Sequence, residues 1–148
     1  MLTDTIATVL NEKGNHVYSV SPQEKALDAV ALMADKGVAA VVVISNGHPS
    51  GIVSAKDFGR RVVLEGRSLE GTKVRDIMTS PVITVSPTTT VSEAMALMTR
   101  NRIRHLPVMD EDRLAGIVAM GDLARSVISE QAFTIDQLQG YVKQKYPA

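Results

Sequence analysis

The sequence predicts an α/β (α+β) fold built from two tandem β-α-β-β-α units, with a short helix at either end. Three observations predict it. First, the chain repeats itself with a shift of 65 residues, the step from Pro22 to Pro87. That shift lays Val20-Ser21-Pro22 on Val85-Ser86-Pro87, Ala31-Leu32-Met33 on Ala96-Leu97-Met98, and Val43 on Val108, with no gap between Val20 and Val62. Second, each copy carries one apolar stripe of helical period followed by β-branched runs of strand length. Third, each copy closes on the same junction, Gly51-Ile52-Val53-Ser54-Ala55-Lys56-Asp57 in one and Gly116-Ile117-Val118-Ala119-Met120-Gly121-Asp122 in the other.

In chain order, Thr3 or Asp4 can cap a first helix with Ile6, Val9 and Leu10 at helical spacing, and Gly14 ends it. Val17 to Val20 is an extended leader. Ser21-Pro22-Gln23-Glu24 has the composition of a helix start, with serine at N-cap, proline at N1 and glutamate at N3. Ala26, Ala29, Val30 and Met33 form the stripe, and Gly37 stands where a left-handed C′ residue belongs. Val38 to Ile44 is unbroken apolar chain, the pattern of a strand covered on both faces. Asn46-Gly47 signals a tight turn, with a connection to Ile52 longer than a two-residue hairpin. The junction follows, then a helix from Phe58 stopped by Gly66. The boundaries expected are a helix over 1–15, repeats over 16–66 and 80–129, a connector over 67–79 with a helical turn at Val74 to Met78, and a tail helix over 130–148 spaced by Phe133, Ile135, Leu138 and Tyr141.

Composition bounds the function. Sixteen basic and sixteen acidic side chains cancel, so no net field draws the chain to nucleic acid or an anionic membrane. Without cysteine there is neither a disulfide nor a thiolate metal site. His16, His48 and His105 lack metal-ligand spacing, no phosphate-cradling glycine loop is present, and no catalytic constellation stands out. The first residues have no basic region before an apolar one, and no run reaches membrane-spanning length, so a soluble cytoplasmic protein that is not an enzyme is expected.

The junction admits two readings. A strand running into a helix start exposes unpaired N–H groups that suit an anion, and its aspartate can accept hydrogen bonds from a ribose. Ser54-x-x-Asp57 is equally the pattern of a capping box. The second copy replaces the hydroxyl with Ala119 and keeps Asp122, an asymmetry that capping alone does not require.

The duplicated unit, each copy closing on this glycine-to-aspartate junction, resembles the cystathionine-β-synthase (CBS) domain over Val17 to about Ile128. Met78-Thr79 and Arg104-His105-Leu106-Pro107-Val108 add to the likeness. The resemblance implies a tandem pair, a Bateman module, about a pseudo-twofold axis. It also implies two clefts for adenine ligands (AMP, ADP, ATP, NAD or S-adenosylmethionine), a homodimer and a regulated partner protein. Carried over residue by residue, the first cleft joins Ser54, Lys56 and Asp57 to Val82, Ile83 and Thr84 and to Arg102, Arg104 and His105. The second joins Ala119 and Asp122 to Tyr18, Ser19, Ala39 and Ala40.

On this reading the first cleft takes the phosphate, with Asp57 on the ribose and Ile83 against the adenine. Arg100, Arg102 and Arg104 are also consistent with a solvated face, His105 with a core histidine, and Asp122 with a helix N-terminal charge. The expected function is a stand-alone regulatory nucleotide-binding module with no metal. The alternatives are a ligand-free dimerisation module or, less in keeping with 3% aromatic residues, a nucleic-acid-binding protein.

Overall fold

The computed structural model describes residues 4–129, and the expected tail helix lies outside them. Helix α1 (Ile6–Lys13) leads to β1 (Ser19–Val20), α2 (Ala26–Lys36), β2 (Ala40–Ser45) and β3 (His48–Ser54). Next come α3 (Ala55–Phe58), a π-helical turn over Gly59–Val63, and the connector helix α4 (Val74–Ile77). The second copy contributes α5 (Val91–Asn101), β4 (His105–Asp110), β5 (Arg113–Ala119) and a final helix, α6, over residues 120–129.

The 65-residue shift holds at the level of hydrogen bonding. β2 and β3 pair antiparallel with a break in register between Val43 and Ile44; β4 and β5 pair the same way with the break between Val108 and Met109. The leader β1 runs parallel to β2, with Val20 opposite Val43, and the equivalent Val85 bridges Val108. Among the described residues the second leader forms only that one bridge. The sheets are therefore β1-β2-β3 and β4-β5.

Two local expectations are corrected. Helix α2 begins at Ala26, four residues after Pro22, and Ser21 to Glu24 form a turn in which the Glu24 carboxylate accepts the Ser21 N–H at 2.6 Å. The carbonyls of Pro22 and Glu24 accept the N–H groups of Arg75 and Val74 instead of closing a helical turn. Pro87 and Thr89 likewise accept from Ala7 and Ile6. In addition, β2 and β3 are joined by Asn46 and Gly47 alone, both at positive φ (53° and 80°), a two-residue hairpin of primed type.

Each pre-repeat helix is buried in the repeat that its chain position does not suggest. Ile6 and Val9 of α1 sit in the second repeat's core with Val91, Met98, Leu106 and Leu123. Val74 and Ile77 of α4 sit in the first with Ala29, Val41, Val53 and Phe58. This close approach explains the glycine leading each junction. A Cβ on Gly51 would lie 2.7 Å from Met78 Sδ and 2.9 Å from the Thr79 carbonyl oxygen. One on Gly116 would meet only the side chain of Leu10, at 2.8 Å. Gly51→Ala is accordingly expected to cost about 1–3 kcal/mol in urea unfolding, as overpacking against backbone does. Gly116→Ala should cost less, because a leucine terminus can rotate away. Equal costs would contradict this packing.

Candidate functional site

The first cleft, a cavity of about 410 Å3, opens where β3 runs into α3 and faces the turn between α5 and β4. Its centre is Asp57, 6% exposed. One carboxylate oxygen accepts the Ser54 N–H at 2.8 Å and the Ser54 hydroxyl at 3.2 Å; the other accepts the Thr79 hydroxyl at 3.1 Å. The capping reading is thus correct as far as it goes. A carboxylate has acceptor capacity for more than these three donors, all of them uncharged.

Around Asp57 the cavity is lined by Lys56, Arg60, Arg61, Arg102 and His105, with Ile52 and Ile103 as its apolar residues. Arg61 donates to the carbonyls of Ile77 and Met78, closing the C-terminal end of α4. Among the described residues Lys56, Arg60 and Arg102 form no ion pair. Arg102 has φ +55°, at the helix end where the first copy has Gly37 at +65°. A side-chain-bearing residue costs about 1–2 kcal/mol in that conformation, and here the position adds an arginine to the lining of the cleft.

The second cleft, about 320 Å3, brings Tyr18, Ala39, Ala40, Ala119 and Asp122 together as the sequence implied. It adds Lys13, His16, Val38, Ile117 and, shared with the first cleft, His105. The Tyr18 ring meets His16 edge to face with centroids 4.5 Å apart. Asp122, 8% exposed, accepts the Ala119 N–H at 2.7 Å and Lys13 Nζ at 2.7 Å on one oxygen, and Arg125 on the other.

Several expected contacts do not form. Val82, Ile83 and Thr84 do not line the first cleft. The leader there is not a strand; Ile83 packs on the second repeat's own core, and Thr84 borders a separate cavity beside α5. Ile52 and Ile103 supply the apolar lining of the first cleft instead. Arg104 also leaves the first cleft, since successive side chains at a strand end alternate in direction and His105 takes the inward position. Ser19 does not line the second cleft. Thr79 was overlooked as a contact although Met78-Thr79 was conspicuous, and Arg60 and Arg61, three and four residues after Asp57, were legible from helical spacing.

Among the described residues two ionisable groups, His105 and Asp122, have shifted equilibria. Burial lowers the pKa of His105, and the Lys13 and Arg104 charges lower it further, against a smaller opposing effect of Asp122. For Asp122, burial pushes the pKa upward but is outweighed by the Lys13 hydrogen bond, the Ala119 N–H and the Lys13 and Arg125 charges, so the net shift is downward. In both cases the folded state binds fewer protons than the unfolded chain. The stability they contribute is therefore complete above the unfolded value, about 6.5 for histidine and about 3.9 for aspartate, and is lost as pH falls from there through the lower folded-state value. Urea midpoints are expected to fall between pH 7.5 and 5.5, with His105→Gln flattening that decline. An unchanged slope in the variant would refute the histidine's share.

The sequence matches the CBS-domain family at residues 9–63 and again at 74–129. This chain belongs to the CBS-domain family. As a tandem CBS pair it is 37% identical to the Arabidopsis thaliana mitochondrial CBS domain-containing protein CBSX3, over 96% of this chain and 73% of that one. It is 31% identical to Bacillus subtilis YhcV, over 86% and 90% of the two chains. Among solved structures it resembles a putative signal-transduction protein with CBS domains from Burkholderia ambifaria, at 42% identity and a TM-score of 0.82, over 86% of this chain and 96% of that one. These matches establish the pair architecture. No helix of the described residues is long and apolar enough to cross a membrane.

Proposed function

We propose that this CBS pair is a regulatory module rather than an enzyme, and that its first cleft binds an adenine nucleotide through ribose and phosphate. The observation that carries the reading is the company of Asp57. A buried carboxylate bonded, among the described residues, only to uncharged donors shares one cavity with Lys56, Arg60 and Arg102. Asp57 suits paired sugar hydroxyls, the three cations suit phosphate oxygens, and Ile52 and Ile103 give an apolar wall for a base. The cationic lining favours AMP, ADP, ATP or NAD over S-adenosylmethionine, whose sulfonium centre would add a positive charge. Binding would stabilise the arrangement in which both repeats face the ligand and shift the population offered to a partner protein.

Calorimetry and thermal melting with AMP, ADP, ATP, NAD, S-adenosylmethionine and adenosine test this. A ligand at a hundredfold excess over its Kd should stabilise the fold by about 2.7 kcal/mol, with phosphate-bearing ligands ahead of adenosine. Arg102→Gly should weaken the phosphate-bearing ligands while raising the melting temperature of the free protein, because it relieves the left-handed strain. No shift with any of these ligands would leave the ligand-free module as the better reading.

Self-association has its own support. Val63 and Ile128, 65 residues apart (128 − 63), are both large, apolar and exposed, as is Leu64. Such a repeated patch fits a homodimer interface. A cyanobacterial CBS-CP12 protein described as hexameric is 25% identical over 84% of this chain, with a TM-score of 0.75. Sedimentation equilibrium at micromolar concentration distinguishes a dimer from a monomer.

A further inference from the structure

The two junction aspartates differ in what already holds them. Among the described residues Asp57 accepts only amide and hydroxyl donors, whereas Asp122 is bonded by two cations of the protein's own, Lys13 and Arg125. Lys13 comes from the last turn of α1, 109 residues away in sequence. Its ammonium also donates to the Ile117 carbonyl at 2.7 Å. Ile117 is the counterpart of Ile52, whose carbonyl accepts the Thr79 N–H at 2.8 Å in the first copy. One ammonium thus takes the place of the Thr79 N–H on the isoleucine carbonyl and, on the aspartate, of the Ser54 hydroxyl that Ala119 lacks, since it shares the oxygen that accepts the backbone N–H; the other oxygen, Thr79's in the first copy, is held by Arg125.

The exchange is not neutral for a ligand. A sugar hydroxyl approaching Asp57 competes with neutral hydrogen bonds. One approaching Asp122 must displace or share a charge-assisted bond to a buried carboxylate, roughly twice as strong. We propose that Lys13 is the specificity-determining residue between the clefts: it occupies the sugar position of the second cleft from within and confines nucleotide binding to one site per chain. This rests on the reading of the first cleft as a nucleotide site, and deepens it by saying which cleft is open and what closes the other.

Calorimetry on the full chain with AMP as probe tests it, beside Lys13→Met, Lys13→Gln and Lys13→Arg. Lys13→Gln retains a donor for the Ile117 carbonyl and guards against a fold lost through Lys13→Met; melting curves report which variants remain folded. The expected result is one AMP per native chain and per Lys13→Arg chain. Lys13→Met and Lys13→Gln should bind two, the second site tightening by about tenfold or more. Adding Asp122→Asn to Lys13→Gln should return the count to one. Two sites in the native chain, or one in both neutral variants, would overturn the proposal and leave the first-cleft reading intact. A native chain that binds nothing while Lys13→Gln binds one AMP would sink the first-cleft reading and uphold the closure by Lys13. Binding to none of the proteins rejects both.

Discussion

Ile6→Ala is expected to destabilise the protein by about 2–5 kcal/mol, the cost of truncating a fully buried isoleucine when the surrounding core cannot collapse. Ile6 has no exposed surface and lies in the second repeat's core, among residues from Val85 to Leu123. Its helix is tied there by backbone hydrogen bonds, Ile6 N–H to the Thr89 carbonyl and Val91 N–H to that of Asp4. The loss should therefore fall on the second repeat, though residue 6 precedes the first. Hydrogen exchange separates the cases: protection should drop in β4, β5 and α5 before it drops in β2 and β3. A uniform drop would show that the two cores unfold as one unit, and a loss confined to α1 would show that the helix is an ornament.

Asp57→Ala is expected to weaken nucleotide binding by about a hundredfold or more. Two hydrogen bonds from ribose hydroxyls to a charged acceptor contribute about 1.5–3 kcal/mol each, and the alanine loses both. The same change leaves the Ser54 N–H and the Thr79 hydroxyl without their acceptor, so the folded state is weakened as well. Asp57→Asn separates these effects. It keeps an oxygen for the backbone donor and a side chain of the same size, but removes the charge. Binding that falls in both variants, with stability falling chiefly in the alanine, matches a carboxylate that serves ligand and helix together. If both variants bind AMP as the native chain does, Asp57 is a cap and nothing more.

Much of this was legible in residue order. The shift of 65 residues anticipated the matching strands of the two copies, though not the two-residue turn between them, and it carried over to the register break at Val43 and to the bridge that joins each leader to its strand. Asp57 and Lys56 were legible because a junction motif is local and its spacing shows which side chains share a face; Arg102 was implied by the resemblance to the CBS pair. Ile83 and Arg104 were misplaced by analogy with the CBS family. The analogy places a backbone segment but not the direction of a side chain once its leader ceases to be a strand.

The sequence by itself determined the elements, their duplication and the position of each acid, because periodicity, turn chemistry and capping act over a few residues. Only the tertiary structure decided that α1 completes the second core and α4 the first, that the helix start at Ser21-Pro22 yields to bonds with the connector, and that Lys13 meets Asp122. Those outcomes depend on groups brought together across as many as 109 residues of chain. A free ammonium near a buried carboxylate and a carbonyl gains more there than in water once the cores have formed, and no local pattern announces the meeting.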